Sequence, residues 1–148
     1  MTHEAASALL EKALPLIARR SAWTKCAYAR DRHGHHVRFD SGRAVRFCAG
    51  GALLRALIEC GACSPSAAEL QLASSLLGEA LCNGLSEPDS VELVATLQRK
   101  RRAGSSGGPA AEQHWQLIVE INDLPTTRHR QVVAAFEAAI REARATRR

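Results

Sequence analysis

Gly50 and Gly51 stand side by side in a run, Ala44 to Leu57, that otherwise favours helix. Each glycine inside a helix costs about 1 kcal/mol relative to alanine, so an adjacent pair weakens the element considerably. Such a pair makes sense where a second backbone comes too close for a Cβ to fit. The neighbours agree: small residues Ala44, Cys48, Ala52 and Ala56 are interleaved with Val45, Leu53 and Leu57. The pattern predicts a closely packed central helix over Arg43–Cys60, capped by Asp40 or Ser41 and stopped at Gly61.

Just before it, residues 26–39 read as a two-stranded hairpin. Cys26-Ala27-Tyr28-Ala29 and Val37-Arg38-Phe39 are short alternating segments, and Asp31 to His36 form a turn around Gly34. A lone hairpin is marginal in water, so this one must lie on helices. The first helix is expected over His3–Arg20, with Ala6, Leu9, Leu10, Ala13, Leu14 and Ile17 on one face. Thr2 would cap it, Arg19 and Arg20 would sit at its negative end, and Pro15 would kink it. A third helix should start at Ser64-Pro65, with Ser66 and Glu69 as a capping box. A fourth starts at Ser86 and ends in the basic cluster Arg99 to Arg102. A fifth runs from Ala111 until Asn122-Asp123-Leu124-Pro125 breaks it, and the last is capped by Thr126 or Thr127. Ala103 to Pro109 reads as a flexible surface loop.

Alanine and leucine are prominent and aromatics make up only 4% of the 148 residues, which favours helix over strand. The expected fold is mainly α: five to six helices in one orthogonal bundle with a short β-hairpin packed on it. Residues 1–148 are expected to form a single helical domain. No apolar run approaches the ~18 residues of a membrane span, and glutamates interrupt the N-terminus where a secretory signal would be basic. A cytoplasmic chain away from membranes is therefore expected. Five cysteines without regular spacing suggest reduced, mostly buried thiols.

Charge is unevenly laid out. Arg19 to Arg55 carry nine basic and two acidic residues, whereas Ala56 to Gln98 carry six acidic residues and no Lys or Arg. This predicts internal complementarity, with acidic helices beside the basic hairpin.

The run Trp23, Ala29-Arg30-Asp31, Gly34, Val37, then Phe47-Cys48-Ala49-Gly50-Gly51-Ala52-Leu53, with Asn122-Asp123 and Thr127-Arg128-His129 later, forms a pattern. It resembles an uncharacterised bacterial and phage family of domains of unknown function. The resemblance covers most of the chain from Trp23 to Ile140. It implies a small, mostly helical domain and no known reaction. Two departures stand out: Ile121 replaces a tryptophan frequent in the family, and the chain is longer between Leu97 and Gln113.

The candidate chemistry is weighed against plain packing. Cys48 with His129 and Asp123 could be written as nucleophile, base and orienter, but a cysteine among Ala44, Gly51 and Ala52 suits a packing seam. Cys60 and Cys63 form a lone C-x-x-C, short of the four ligands of structural zinc. Asp31 reads as a turn former whose carboxylate accepts backbone amides, and Asn122-Asp123 as a turn and cap. No phosphate-binding Gly-rich loop or metalloprotease motif is present, and no cofactor is expected. The first functional reading is a binding or regulatory module that contacts another protein through Tyr28, Arg30, Asp31, Arg38 and Arg46. The alternatives are a nucleic-acid binder using Arg99, Lys100, Arg101 and Arg102, and a thiol- or metal-dependent enzyme.

Overall fold

A computed structural model describes residues 2–61, 68–85, 88, 91–93, 95–96, 99 and 110–146. Five helices are α1 (Thr2–Ile17), α2 (Ala49–Glu59), α3 (Ala68–Asn83), α4 (Ala110–Asp123) and α5 (His129–Ala145). Helical residues between 88 and 99, with Leu93 buried, belong to a sixth. Between α1 and α2 lie β1 (Ala29–Arg30), β2 (His36–Val37) and β3 (Arg46–Phe47). The expected mainly α fold is what the chain adopts.

The apolar stripe read from α1 is buried: Ala6, Leu9, Leu10, Ala13 and Ile17 all lie in the core. α3 packs on α1, α4 and α5, and α1 in turn holds α2 and α5. Packing therefore centres on α1 and α3. The predicted central helix, α2, lies to one side against α1 and α4. α5 contributes Val132, Phe136 and Ile140 to the same connected core. Among the described residues no helix is long and apolar enough to cross a membrane.

The region of the sheet departs most from expectation. The hairpin is present, with Ala29 opposite Val37 and Arg30 opposite His36, but β3 joins its other side, giving the antiparallel order β2-β1-β3. Residues 43–48, expected in the helix, are thus partly strand, and α2 starts at Ala49. Val45-Arg46-Phe47 carries a β-branched and an aromatic residue, and Phe47 is buried opposite Ala29. Asp40 and Ser41 cap no helix: Asp40 pairs with Arg38, and Ser41 Oγ accepts the Arg43 amide.

α1 ends at Ile17, and Arg20 opens a short 3-10 turn, Arg20–Ala22. The Ile17 carbonyl instead accepts from His129 Nε2 at 2.6 Å. Of the predicted complementarity between the basic and acidic stretches, the described residues hold one pair, Arg55 with Glu59 at 2.9 Å, and Glu87 and Asp89 lie outside them. Arg38 bonds Asp40 and Arg43 bonds Asp31, both within the sheet region. The start of the third helix at Ser64-Pro65, Cys63, Lys100 to Arg102 and the loop 103–109 lie outside the described residues.

Candidate functional site

Asn122 joins three distant parts of the chain. It is fully buried near the end of α4. Its Oδ1 accepts from Trp23 Nε1 at 2.9 Å and from the Ala49 amide at 3.1 Å. Its Nδ2 donates to the Thr24 carbonyl at 3.1 Å and to Asp123 Oδ1 at 3.0 Å. Ala49 is the first residue of α2, so Asn122 satisfies an amide that the helix itself leaves open. Cys48 is the N-cap, its Sγ accepting the Gly51 amide at 3.2 Å. The local turn and cap role expected of Asn122-Asp123 is thereby corrected: both side chains act across the fold. Asp123 Oδ1 also accepts the amide of Cys26, which holds a left-handed backbone at φ 58°.

Asp31 performs the role read from its sequence context. One carboxylate oxygen accepts the amides of His33 and His35, each at 2.9 Å, and the other meets Arg43 at 2.8 Å. Burial pushes the carboxyl up, but the His35 and His33 amides, the His35 ring and Arg43 outweigh it and hold the pKa at about 2. The folded-state value is below the unfolded reference of about 3.9. Its contribution to stability is therefore complete above that reference and lost as pH falls through the folded value. Thermal melts of the wild type and Asp31→Asn should differ most at neutral pH and converge as pH drops to about 2. A gap that stays constant over this range would contradict that account. Arg30 is used internally, donating to Thr24 Oγ1, the Gly34 carbonyl and the Lys25 carbonyl.

A cleft of about 870 Å³ opens between the hairpin, the start of α2 and the end of α4. Tyr28, His36, Arg38 and Phe39 line one side, and Cys48, Val119 and Asp123 the other. Tyr28 is 42% exposed, stands edge-on to Phe39 at 6.5 Å and lies 6.2 Å from Trp115. Trp115 Nε1 donates to the Tyr28 hydroxyl at 3.2 Å. Gly50 makes room for this ring: a Cβ there would lie 3.1 Å from Trp115 Cζ2.

The structure separates His129 from the other two residues of the candidate thiol centre. Cys48 and Asp123 line the same cleft, but His129 lies in another, packed on Trp23 at 5.8 Å, with Nε2 bonded to Ile17. Burial pushes the Cys48 thiol up to about 11, and the charge of Asp123 adds to this against the Gly51 amide. At 3% exposure it is a neutral, covered sulfur. A thiol reagent near neutral pH should label the exposed Cys26 and Cys60 and leave Cys48 until the protein is denatured. Rapid modification of Cys48 in the folded protein would reverse this assignment.

Of the predicted contact residues, Tyr28 and Arg38 reach the cleft. Asp31 is buried in the hairpin turn and Arg46 lies in β3 opposite Arg30. Cys60 is the exposed C-cap of α2, and among the described residues no group of three His, Cys, Asp or Glu could hold a metal. Arg99 is exposed on its own helix, donating to the Ala95 carbonyl and Thr96 Oγ1. Sequence reasoning missed Phe39 and Trp115 as partners of Tyr28, since aromatic residues at such separations carry no mutual signal. It also missed a second cleft, of about 740 Å³, where Arg20, Trp23 and Lys25 meet Arg128, His129 and Arg130.

No curated protein and no solved structure matches the chain. The family comparison does match, over residues 1–142. The chain belongs to a family of unknown function, DUF6197.

Proposed function

We propose that this protein is a one-domain cytoplasmic binding module that takes an extended segment of another protein in the cleft beside the hairpin. The observation that carries this reading is the exposed ring of Tyr28, edge-on to the partly buried Phe39, beside β2, one of the two edge strands of the sheet. An extended peptide can add hydrogen bonds to a sheet edge while its side chains enter flanking pockets. Tyrosine offers apolar area at low conformational cost together with a hydroxyl. The surrounding scaffold is preorganised: the Asp31 turn, the Arg30 strut and the Asn122 clamp hold the cleft walls in place. Rigid walls reduce the ordering cost of association.

The test is a displayed random-peptide selection against the full chain, followed by calorimetry with the selected peptides. Saturable binding is expected, weakened at least about tenfold by Tyr28→Ala with the circular dichroism unchanged. Selected peptides that bind Tyr28→Ala and Arg38→Glu as tightly as the wild type would remove the cleft from consideration. A selection that returns no saturable binder would do the same.

A further inference from the structure

We propose that the second cleft, at the start of α5, binds the phosphate group of a small phosphate ester. Four cations converge there from two separate stretches of chain: Arg20 and Lys25 before the sheet, Arg128 and Arg130 at the entry to α5. No Asp or Glu is among the described lining residues. Gathering four like charges around one concavity raises the energy of the empty protein unless an anion answers them.

Their partners sharpen the point. Arg38, Arg43, Arg55 and Arg144 each meet a carboxylate within 3.0 Å. None of the four cations of this cleft has such a pair among the described residues. Lys25 Nζ donates to the Leu124 carbonyl and sits 5.4 Å from the Trp23 ring centre, so the ammonium is placed without being neutralised. Partial burial lowers the Lys25 pKa and the charge of Asp123 opposes this, but Asp123 Oδ1 holds the Cys26 amide and the residue lines the other cleft. The first turn of α5 has no acidic residue, and Gln131 Oε1 takes only the Arg128 amide. His129 is already bonded through Nε2 to Ile17, which fixes the floor between the two basic stretches.

A phosphate ester supplies what this geometry lacks. It carries a charge of about −1.5 to −2 at neutral pH and three acceptor oxygens. Guanidinium groups bind such oxygens through paired, charge-assisted hydrogen bonds. A small ester fits better than a nucleic acid, because the cations surround one concavity. A polymer is held by a row of contacts, and its affinity grows with the number of phosphates neutralised.

Calorimetric titration of the full chain with inorganic phosphate, adenosine monophosphate, adenosine and a single-stranded oligonucleotide tests the assignment. Saturable binding of phosphate and tighter binding of the monophosphate are expected, with none of adenosine. Arg128→Glu combined with Arg130→Glu should weaken both by at least about tenfold. Arg130→Gln is the milder variant, expected to weaken binding with an unchanged thermal melt, and it serves if the double variant fails to fold. The site is refuted if phosphate and monophosphate give no saturable heat, or if chloride at equal ionic strength competes equally. Unchanged affinity in folded Arg130→Gln also refutes it. Oligonucleotide binding without phosphate or monophosphate binding refutes it too, and assigns the face to nucleic acid.

Discussion

Gly51→Ala should be among the most damaging single-methyl additions in this protein, lowering stability by about 3 kcal/mol or more. A Cβ on Gly51 would lie 1.9 Å from the carbonyl oxygen of Tyr28, 2.7 Å from its carbonyl carbon and 3.1 Å from its Cα. These are backbone atoms, so no rotamer change relieves the clash. The same carbonyl accepts the Cys48 amide at 3.2 Å, and moving it away breaks the link between the sheet and the α2 N-terminus. Alanine's better helix propensity returns only about 1 kcal/mol. Two other glycines serve as controls. Gly42 has nothing within 4 Å of its would-be Cβ, so Gly42→Ala should stay within about 0.5 kcal/mol of wild type. At Gly50 the nearest atoms belong to the Trp115 side chain, which can shift, and an intermediate loss is expected. Urea denaturation midpoints measure all three. Equal midpoints for Gly51→Ala and Gly42→Ala would mean that the two backbones do not touch.

Replacing Asn122 should cost a comparable amount through a different mechanism. Asn122→Ala leaves Trp23 Nε1, the Ala49 amide and the Thr24 carbonyl without the partner they now share. Each abandoned buried group costs about 1–3 kcal/mol, less where water can enter, so a total near 4 kcal/mol is expected. Asn122→Asp separates the two halves of the amide. It keeps an acceptor for Trp23 and Ala49, but loses the donor to Thr24 and places a carboxylate against Asp123 Oδ1. Its deficit should shrink as the solution is acidified and the carboxyls are protonated. Chemical denaturation at two pH values checks both variants. Near-wild-type stability of Asn122→Ala would show that the clamp contributes little and that packing alone holds α4 against the sheet.

Both predictions rest on residues whose importance was unequally visible beforehand. The glycine pair announces itself, because two glycines in a helix are unfavourable locally and require an explanation from outside the helix. The backbone that approaches, at Tyr28, lies in the very hairpin the alternation indicated. Asp31 was legible for the same reason: its bonds to His33 and His35 close over two and four residues. Asn122 reads as a local cap in the sequence, because nothing nearby distinguishes a capping asparagine from a buried one. Its actual partners lie 73 and 98–99 residues away.

Periodic burial, turn chemistry and the glycine pair are energies that close within a few residues, and from them the sequence alone determined a mainly helical protein carrying a hairpin. The tertiary structure decided where α2 begins, that residues 46–47 pair as a strand, and which residues share a cleft. A strand needs a partner edge, and a helix amide accepts whichever oxygen the fold delivers. Likewise, Arg20 meets Arg128 only after α1 has packed on α5. These choices depend on contacts between distant segments, so no local pattern could encode them on its own.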